Sequence, residues 1–213
     1  MKSSPFSWAL FEKSPIVGII RNVSFEDVIQ ILPIYREAGL TTIEITMNTP
    51  DAENIIKYAI ENEQQGLNIG AGTVCDKEDL KHALQAGAQF IVTPITNKKV
   101  IKACVKIGIP IFSGAFTPTE IYTASALGAD MVKIFPATQL GSDYIKEIKA
   151  PMNHLKLLPT GGVGLDNMLD FFKAGANGFG IGSQLFDKKL IQTQNWKGLK
   201  KHFLKFTNQL SKR

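Results

Sequence analysis

The sequence predicts a single-domain α/β protein: a (β/α)8 barrel with an N-terminal helix, spanning residues 1–213. Three observations lead there. Short β-branched runs alternate with helical patterns along the whole chain, the pattern of parallel strands joined by helical crossovers. Eight such runs can be marked, at Ile16–Ile20, Thr42–Thr46, Asn68–Ala71, Phe90–Thr93, Ile109–Phe112, Met131–Ile134, Lys156–Pro159 and Gly178–Ile181. Eight is the number that closes a barrel. A glycine ends the segment before five of the strands, in Ala38-Gly39-Leu40, Ala86-Gly87-Ala88, Ile107-Gly108-Ile109, Leu127-Gly128-Ala129 and Ala174-Gly175-Ala176. Each suits the left-handed position that closes a helix. An open doubly wound sheet shares the alternation and is the competing topology.

Helix starts follow the same logic. Ser24 precedes Phe25-Glu26-Asp27, Thr49-Pro50 precedes Asp51, and Thr117-Pro118 precedes Thr119-Glu120. Each pattern offers a capping oxygen or a first-turn proline. No low-complexity linker divides the chain.

Composition narrows the function. The 213 residues are 44% hydrophobic, enough for one substantial core. No apolar run approaches the roughly 20 residues that span a bilayer. Met1 to Lys13 lacks a signal-peptide pattern, so a cytoplasmic location is expected. Cys75 and Cys104 make no disulfide framework, and His82, His154 and His202 are isolated, so no metal site is expected. The net charge of +5 fits a small anionic substrate. It fits nucleic acid less well, because the lysines are scattered and no recognition motif occurs. At the C-terminus Trp196, Leu199, Phe203, Phe206 and Leu210 recur at helical spacing between lysines. That face predicts a helix docked on the domain; a membrane-surface helix is the competing reading.

Lys133 is the most informative residue. It interrupts the apolar strand Met131-Val132-Lys133-Ile134-Phe135-Pro136. A desolvated lysine loses its charge more easily, and a neutral amine can form a Schiff base with a carbonyl. A snorkelling surface lysine is the bland alternative. Glu44 has the same standing in Ile43-Glu44-Ile45. Alternation points both side chains into the lumen, from strands two and six on opposite sides of the ring. They form either a buried ion pair or a nucleophile with its acid/base partner.

The last two strands run into Thr160-Gly161-Gly162-Val163 and Gly180-Ile181-Gly182-Ser183. Such glycines let backbone N–H groups approach an anion, and these two loops are a recurrent phosphate site of the fold. Other strand ends carry Arg21, Thr73, Pro94 and Ser113-Gly114. Arg21 can grip a carboxylate through paired N–H bonds, or be an ordinary surface arginine.

Taken in order, Ile43-Glu44-Ile45-Thr46, Gly70-Ala71-Gly72-Thr73, Phe90-Ile91-Val92-Thr93-Pro94, Val132-Lys133-Ile134-Phe135-Pro136 and Pro159-Thr160-Gly161-Gly162-Val163 resemble the 2-keto-3-deoxy-6-phosphogluconate (KDPG) aldolase family, which includes 4-hydroxy-2-oxoglutarate aldolases. The likeness runs over roughly residues 14 to 190. It implies a class I aldolase that needs neither metal nor cofactor, is usually a homotrimer, and yields pyruvate. In its terms Lys133 matches the Schiff-base lysine and Glu44 the proton-moving carboxylate. Thr73, Phe135 and Pro94 fall around the pyruvyl group, and Thr160 beside the middle carbons. Gly161, Gly162, Gly182 and Ser183 fall where phosphate is held. Many members carry an arginine where this chain has Asn48; another branch has one after strand one, where Arg21 stands. That branch includes aldolases for the C4 epimer, 2-dehydro-3-deoxy-6-phosphogalactonate. Its members tend to be apolar at the position of Thr160, so Thr160 favours the gluconate-type substrate. The rival readings are an epimerase or isomerase on the same barrel, and a non-catalytic sugar-phosphate binding protein.

Overall fold

The computed structural model describes residues 5–63 and 65–212. The chain begins with α1 (Trp8–Lys13) and then alternates. The strands are β1 (Ile16–Ile20), β2 (Thr42–Thr46), β3 (Asn68–Gly72), β4 (Ile91–Val92), β5 (Ile111–Ala115), β6 (Met131–Ile134), β7 (Leu157–Pro159) and β8 (Phe179–Ile181). Helices α2 (Phe25–Glu37), α3 (Ala52–Glu63), α4 (Lys77–Gln85), α5 (Lys98–Ile107), α6 (Pro118–Ala126), α7 (Gly141–Lys149) and α8 (Met168–Lys173) connect successive strands. After β8 come α9 (Lys188–Gln192) and α10 (Trp196–Leu210). Neighbouring strands are parallel in the order β7-β6-β5-β4-β3-β2-β1-β8. A parallel bridge from Thr160 to Gly180 joins the two ends of that order. Below it, the Asn177 N–H donates to the Leu157 carbonyl at 2.8 Å, and the Asn177 side-chain oxygen accepts from the Leu157 N–H at 3.0 Å. The result is the barrel, not the open sheet.

The five predicted helix-ending glycines all adopt positive φ, from 71° at Gly108 to 101° at Gly175. Ser24 and Thr117 cap α2 and α6 as expected, Thr117 within a full capping box with Glu120. Thr49 does not cap α3. Asp51 turns at φ 61°, the helix begins at Ala52, and the Thr49 hydroxyl is used elsewhere. The fifth strand is also displaced from its predicted span, Ile109–Phe112. The Ile109 N–H is spent on the Cys104 carbonyl that closes α5, and Pro110 has no N–H to give. Pairing therefore starts at Ile111 and carries Ser113 and Gly114 inside the strand rather than after it. Smaller shifts shorten β4, β7 and β8 and extend β3 to Gly72.

Alternation divides the buried residues into two cores. Outward-facing strand residues such as Ile43, Ile45, Val132 and Ile134 pack with the helices. Inward-facing Val17, Phe90, Val92, Phe112, Met131 and Leu158 form a separate cluster in the lumen, joined by Phe6 and Phe11 from the N-terminal segment. That segment closes the N-terminal end of the barrel. Phe6 meets Phe90 and Phe112 edge-on, at ring centroid distances of 5.2 and 5.9 Å. Asn68 ties it down: its side chain accepts from the Ser7 N–H at 2.8 Å and donates to the Ser7 carbonyl at 2.9 Å. At the other end of the chain, Leu199, Phe203, Phe206 and Leu210 are buried on the face α10 turns to the domain. The docked reading of that amphipathic helix therefore holds. Among the described residues no helix is long and apolar enough to cross a membrane.

Candidate active site

Glu44 projects from the middle of β2 and Lys133 from β6, four strands round the ring. Both are almost wholly buried, at 1% and 4% exposure. Lys133 Nζ lies 3.9 Å from Glu44 Oε1. Neither Glu44 oxygen accepts a hydrogen bond among the described residues. Such a separation is a long ion-pair contact and leaves both groups free to engage a third. The neighbouring glycine matters here. A Cβ on Gly72 of β3 would stand 2.5 Å from Glu44 Oε1, so only glycine leaves the carboxylate its place.

Burial acts on the two groups in the same sense. It lowers the Lys133 ammonium below its ordinary 10.5, with the positive Arg21 adding to the effect and Glu44 opposing it. It raises the Glu44 carboxyl above 4.5, against the pull of Lys133 and Arg21. Desolvation is the dominant cause for each. The amine is thus biased toward its neutral, nucleophilic form and the carboxyl toward holding a proton.

A cavity of about 550 Å³ opens above Lys133 at the C-terminal ends of the strands. Eight of the predicted site residues line it: Arg21, Lys133, Phe135, Thr160, Gly161, Gly162, Gly182 and Ser183. Gly161 and Gly162 turn at φ 92° and 73°, and a Cβ on Gly162 would press on the Thr138 hydroxyl at 2.9 Å, so this loop depends on glycine. Thr160 is buried, and its hydroxyl donates to the Leu158 carbonyl at 3.3 Å. The Phe135 ring lies beside Lys133, its centroid 5.2 Å from Nζ. Three predicted residues stand apart from the cavity wall. Glu44 is buried by Lys133. Thr73 joins through Arg21, whose Nη2 donates to its hydroxyl at 3.3 Å. Half-buried Pro94 packs its backbone against the Gly114 backbone of β5.

The wall also includes residues not foreseen in the sequence. Asn22, Val23, Ser24 and Asp27 come from the turn after β1; Gln184, Phe186, Lys188, Ile191 and Gln192 come from the segment after β8. The available signal was positional: both stretches directly follow strands already carrying Arg21 and Ser183. Among the described residues, no group of three or more His, Cys, Asp or Glu is placed to hold a metal ion.

Fold and site together define an enzyme-like barrel: a desolvated amine paired with a buried carboxylate beneath a mouth at the C-terminal strand ends. Residues 9–202 match the model of the KDPG and KHG aldolase family. The chain belongs to that family, a family of lyases. It is 35% identical over 182 residues to a 2-dehydro-3-deoxy-phosphogluconate aldolase of Haemophilus influenzae, covering 85% of each chain. It is 33% identical over 175 residues to the 2-dehydro-3-deoxy-6-phosphogalactonate aldolase of Escherichia coli, covering 82% of this chain and 85% of that one. Among solved structures, the KDPG aldolase of Legionella pneumophila, with pyruvate captured as a covalent carbinolamine, superposes with a TM-score of 0.85. It is 26% identical, over 92% of this chain and 95% of the other.

Proposed function

We propose that this chain is a class I aldolase that cleaves 2-dehydro-3-deoxy-6-phosphogluconate to pyruvate and glyceraldehyde 3-phosphate. The observation that carries the reading is buried Lys133, 3.9 Å from a Glu44 that has no hydrogen-bond partner among the described residues. The Lys133 amine attacks the C2 ketone to give a carbinolamine, and loss of water gives an iminium. Glu44 takes the proton of the C4 hydroxyl. The C3–C4 bond breaks, its electron pair passes into the iminium to form an enamine, and the aldehyde leaves. Glu44 returns the proton to C3, and water hydrolyses the new iminium to pyruvate and free amine. One carboxylate serves both proton transfers because they run in opposite directions. Arg21, supported by Thr73, holds the carboxylate end. Pro94, just after β4, lines the pyruvyl pocket, and Phe135 packs on the pyruvyl carbons. Gly161, Gly162, Gly182 and Ser183 take the phosphate through backbone N–H groups and a hydroxyl.

Two further substrates follow from the same chemistry. 4-Hydroxy-2-oxoglutarate would give pyruvate and glyoxylate. The C4 epimer, 2-dehydro-3-deoxy-6-phosphogalactonate, is the second reading, favoured by the anion-gripping arginine standing at Arg21 rather than at Asn48. The protein is expected to act as a cytoplasmic homotrimer. Exposed Ile95, Phe116 and Tyr122, at 53%, 42% and 57%, give it an apolar surface for self-association. Light scattering of the purified protein tests the trimer, and cell fractionation the location.

Borohydride reduction with and without pyruvate, followed by peptide mass spectrometry, tests the chemistry. A pyruvate-dependent adduct on Lys133 is expected. A folded protein with no adduct there overturns the mechanism. Turnover of the two C4 epimers then separates the gluconate from the galactonate reading.

A further inference from the structure

We infer that Thr49 is a positioning residue for the substrate carboxylate, acting at one remove through Asn22 and Arg21. The inference rests on the reading of Arg21 as the carboxylate grip. The Thr49 hydroxyl is not where its sequence context puts it. Thr49 stands at the end of the β2–α3 turn, where a helix cap is expected, yet its Oγ1 accepts from the N–H of Asn22, in the turn after β1, at 3.1 Å. It is also 2.9 Å from Thr46 Oγ1 at the end of β2. Both threonines are buried, at 4% and 0% exposure, so neither hydroxyl is loosely hydrated surface.

What this network holds is the turn that carries Arg21. Asn22 turns at φ 53°, a conformation that costs a non-glycine residue energy unless neighbouring contacts fix it. The Thr49 hydroxyl is such a contact. With Asn22 fixed, the side chain of Arg21 crosses above the end of β2 to reach Thr73 on the far side, beyond Gly72 of β3. The strand register makes that crossing explicit. Ile19 pairs with Glu44 and Glu44 with Gly70, so Arg21 spans the layer directly above Glu44. Thr73 is likewise held at positive φ, 57°. Two strained turns thus bracket one guanidinium over the reacting pair, and Thr49 anchors the first of them.

The test reads pyruvate saturation separately from turnover. The pyruvate concentration giving half-maximal borohydride-trapped adduct on Lys133 is measured for Thr49→Val, Thr49→Ala, Thr49→Ser, Arg21→Ala and the double variant Arg21→Ala/Thr49→Val. Each is first checked for fold by circular dichroism. Removing the hydroxyl, by valine or by alanine, is expected to raise that concentration about five- to tenfold, one hydrogen bond's worth. Turnover at saturating substrate stays within about twofold. Serine restores the hydroxyl and the low concentration. The double variant is no worse than Arg21→Ala alone, because both act along one path. If Arg21→Ala weakens saturation while valine and alanine at 49 do not, the inference is wrong and the reading of Arg21 stands. Additive losses in the double variant also overturn it. If Arg21→Ala itself leaves saturation unchanged, the carboxylate reading of Arg21 fails first, and the inference with it.

Discussion

The two ends of the barrel lumen are built from the same strands and do opposite work. At the N-terminal end Phe90, Phe112, Met131 and Leu158 meet Phe6 and Phe11 in a closed apolar cluster. Toward the C-terminal end the same inward face carries Glu44 and Lys133, the latter two residues beyond Met131, with Glu44 lacking a hydrogen-bond partner among the described residues. The lower end stabilises through burial, at about 25 cal/mol per Å² of apolar surface. The upper end spends stability: two ionisable groups are desolvated, and their attraction across 3.9 Å offsets that only in part. A closed lower end gives the strained upper end a rigid base. Activity and stability should therefore separate cleanly between the two layers.

The largest break in that separation would come from the lysine. Lys133→Ala is expected to lower aldol turnover by at least about 10³-fold, since it removes the amine that attacks the ketone. Its melting temperature should stay near the parent's, because a desolvated amine is removed while Glu44, without its cation, is pushed further toward its neutral, protonated form. A steep fall in melting temperature would show that the upper layer stabilises after all. Glu44→Gln comes next. It should slow turnover about 10²- to 10⁴-fold while the pyruvate adduct still forms on Lys133, since glutamine keeps the shape and loses the proton traffic. Full activity in Glu44→Gln would remove the carboxylate from the mechanism.

Phe112→Ala probes the lower layer. A cavity among Phe6, Phe11 and Phe90 should cost about 3–5 kcal/mol in denaturant unfolding, with turnover per folded molecule unchanged. If turnover falls as far as stability, the layers are coupled and the comparison fails. The pH profile tests the upper layer alone. Burial raises the pKa of Glu44 above 4.5, so its proton-accepting form is lost, as pH falls, before an ordinary glutamate's would be. Burial lowers Lys133 below 10.5, so its neutral form appears, as pH rises, before an ordinary lysine's would. Both shifts act on turnover, which should climb with pH, with an acid limb above pH 4.5 set by Glu44 and a plateau reached below pH 10.5 set by Lys133. An acid limb at the ordinary glutamate value would mean that Glu44 is solvated in solution.

The sequence made the layers legible because alternation is a strict rule. Once Ile43, Ile45, Val132 and Ile134 are assigned to the helix side, Glu44 and Lys133 have only the lumen left. The glycines that end helices were readable for the same local reason. What escaped was set by competition for backbone and hydroxyl groups that no local pattern records. Thr49 has a capping residue's sequence context, yet its hydroxyl is taken by Asn22, 27 positions away. Pro110 displaced the start of β5 because the preceding N–H was already committed to α5. The Asn22–Asp27 and Gln184–Gln192 walls carry no motif; only closing the barrel brings the ends of β1 and β8 side by side.

The smallest expected effect lies at the border of the two functions, at Thr160. Its backbone closes the barrel by bridging to Gly180, while its side chain lines the cavity. Gly180 has to be glycine, since a Cβ there would collide with the Thr160 hydroxyl and methyl. Thr160→Val keeps the branched shape and deletes one hydroxyl that donates to the Leu158 carbonyl at 3.3 Å. The backbone bridge survives, so the cost in stability should be about 1 kcal/mol. On the proposed reading the hydroxyl would face the carbons that distinguish the two C4 epimers, and valine should then shift the ratio of their kcat/KM by roughly three- to tenfold toward the galactonate form. An unchanged ratio would place epimer discrimination in another part of the wall. A ratio shifted toward the gluconate form would reverse the assignment of Thr160.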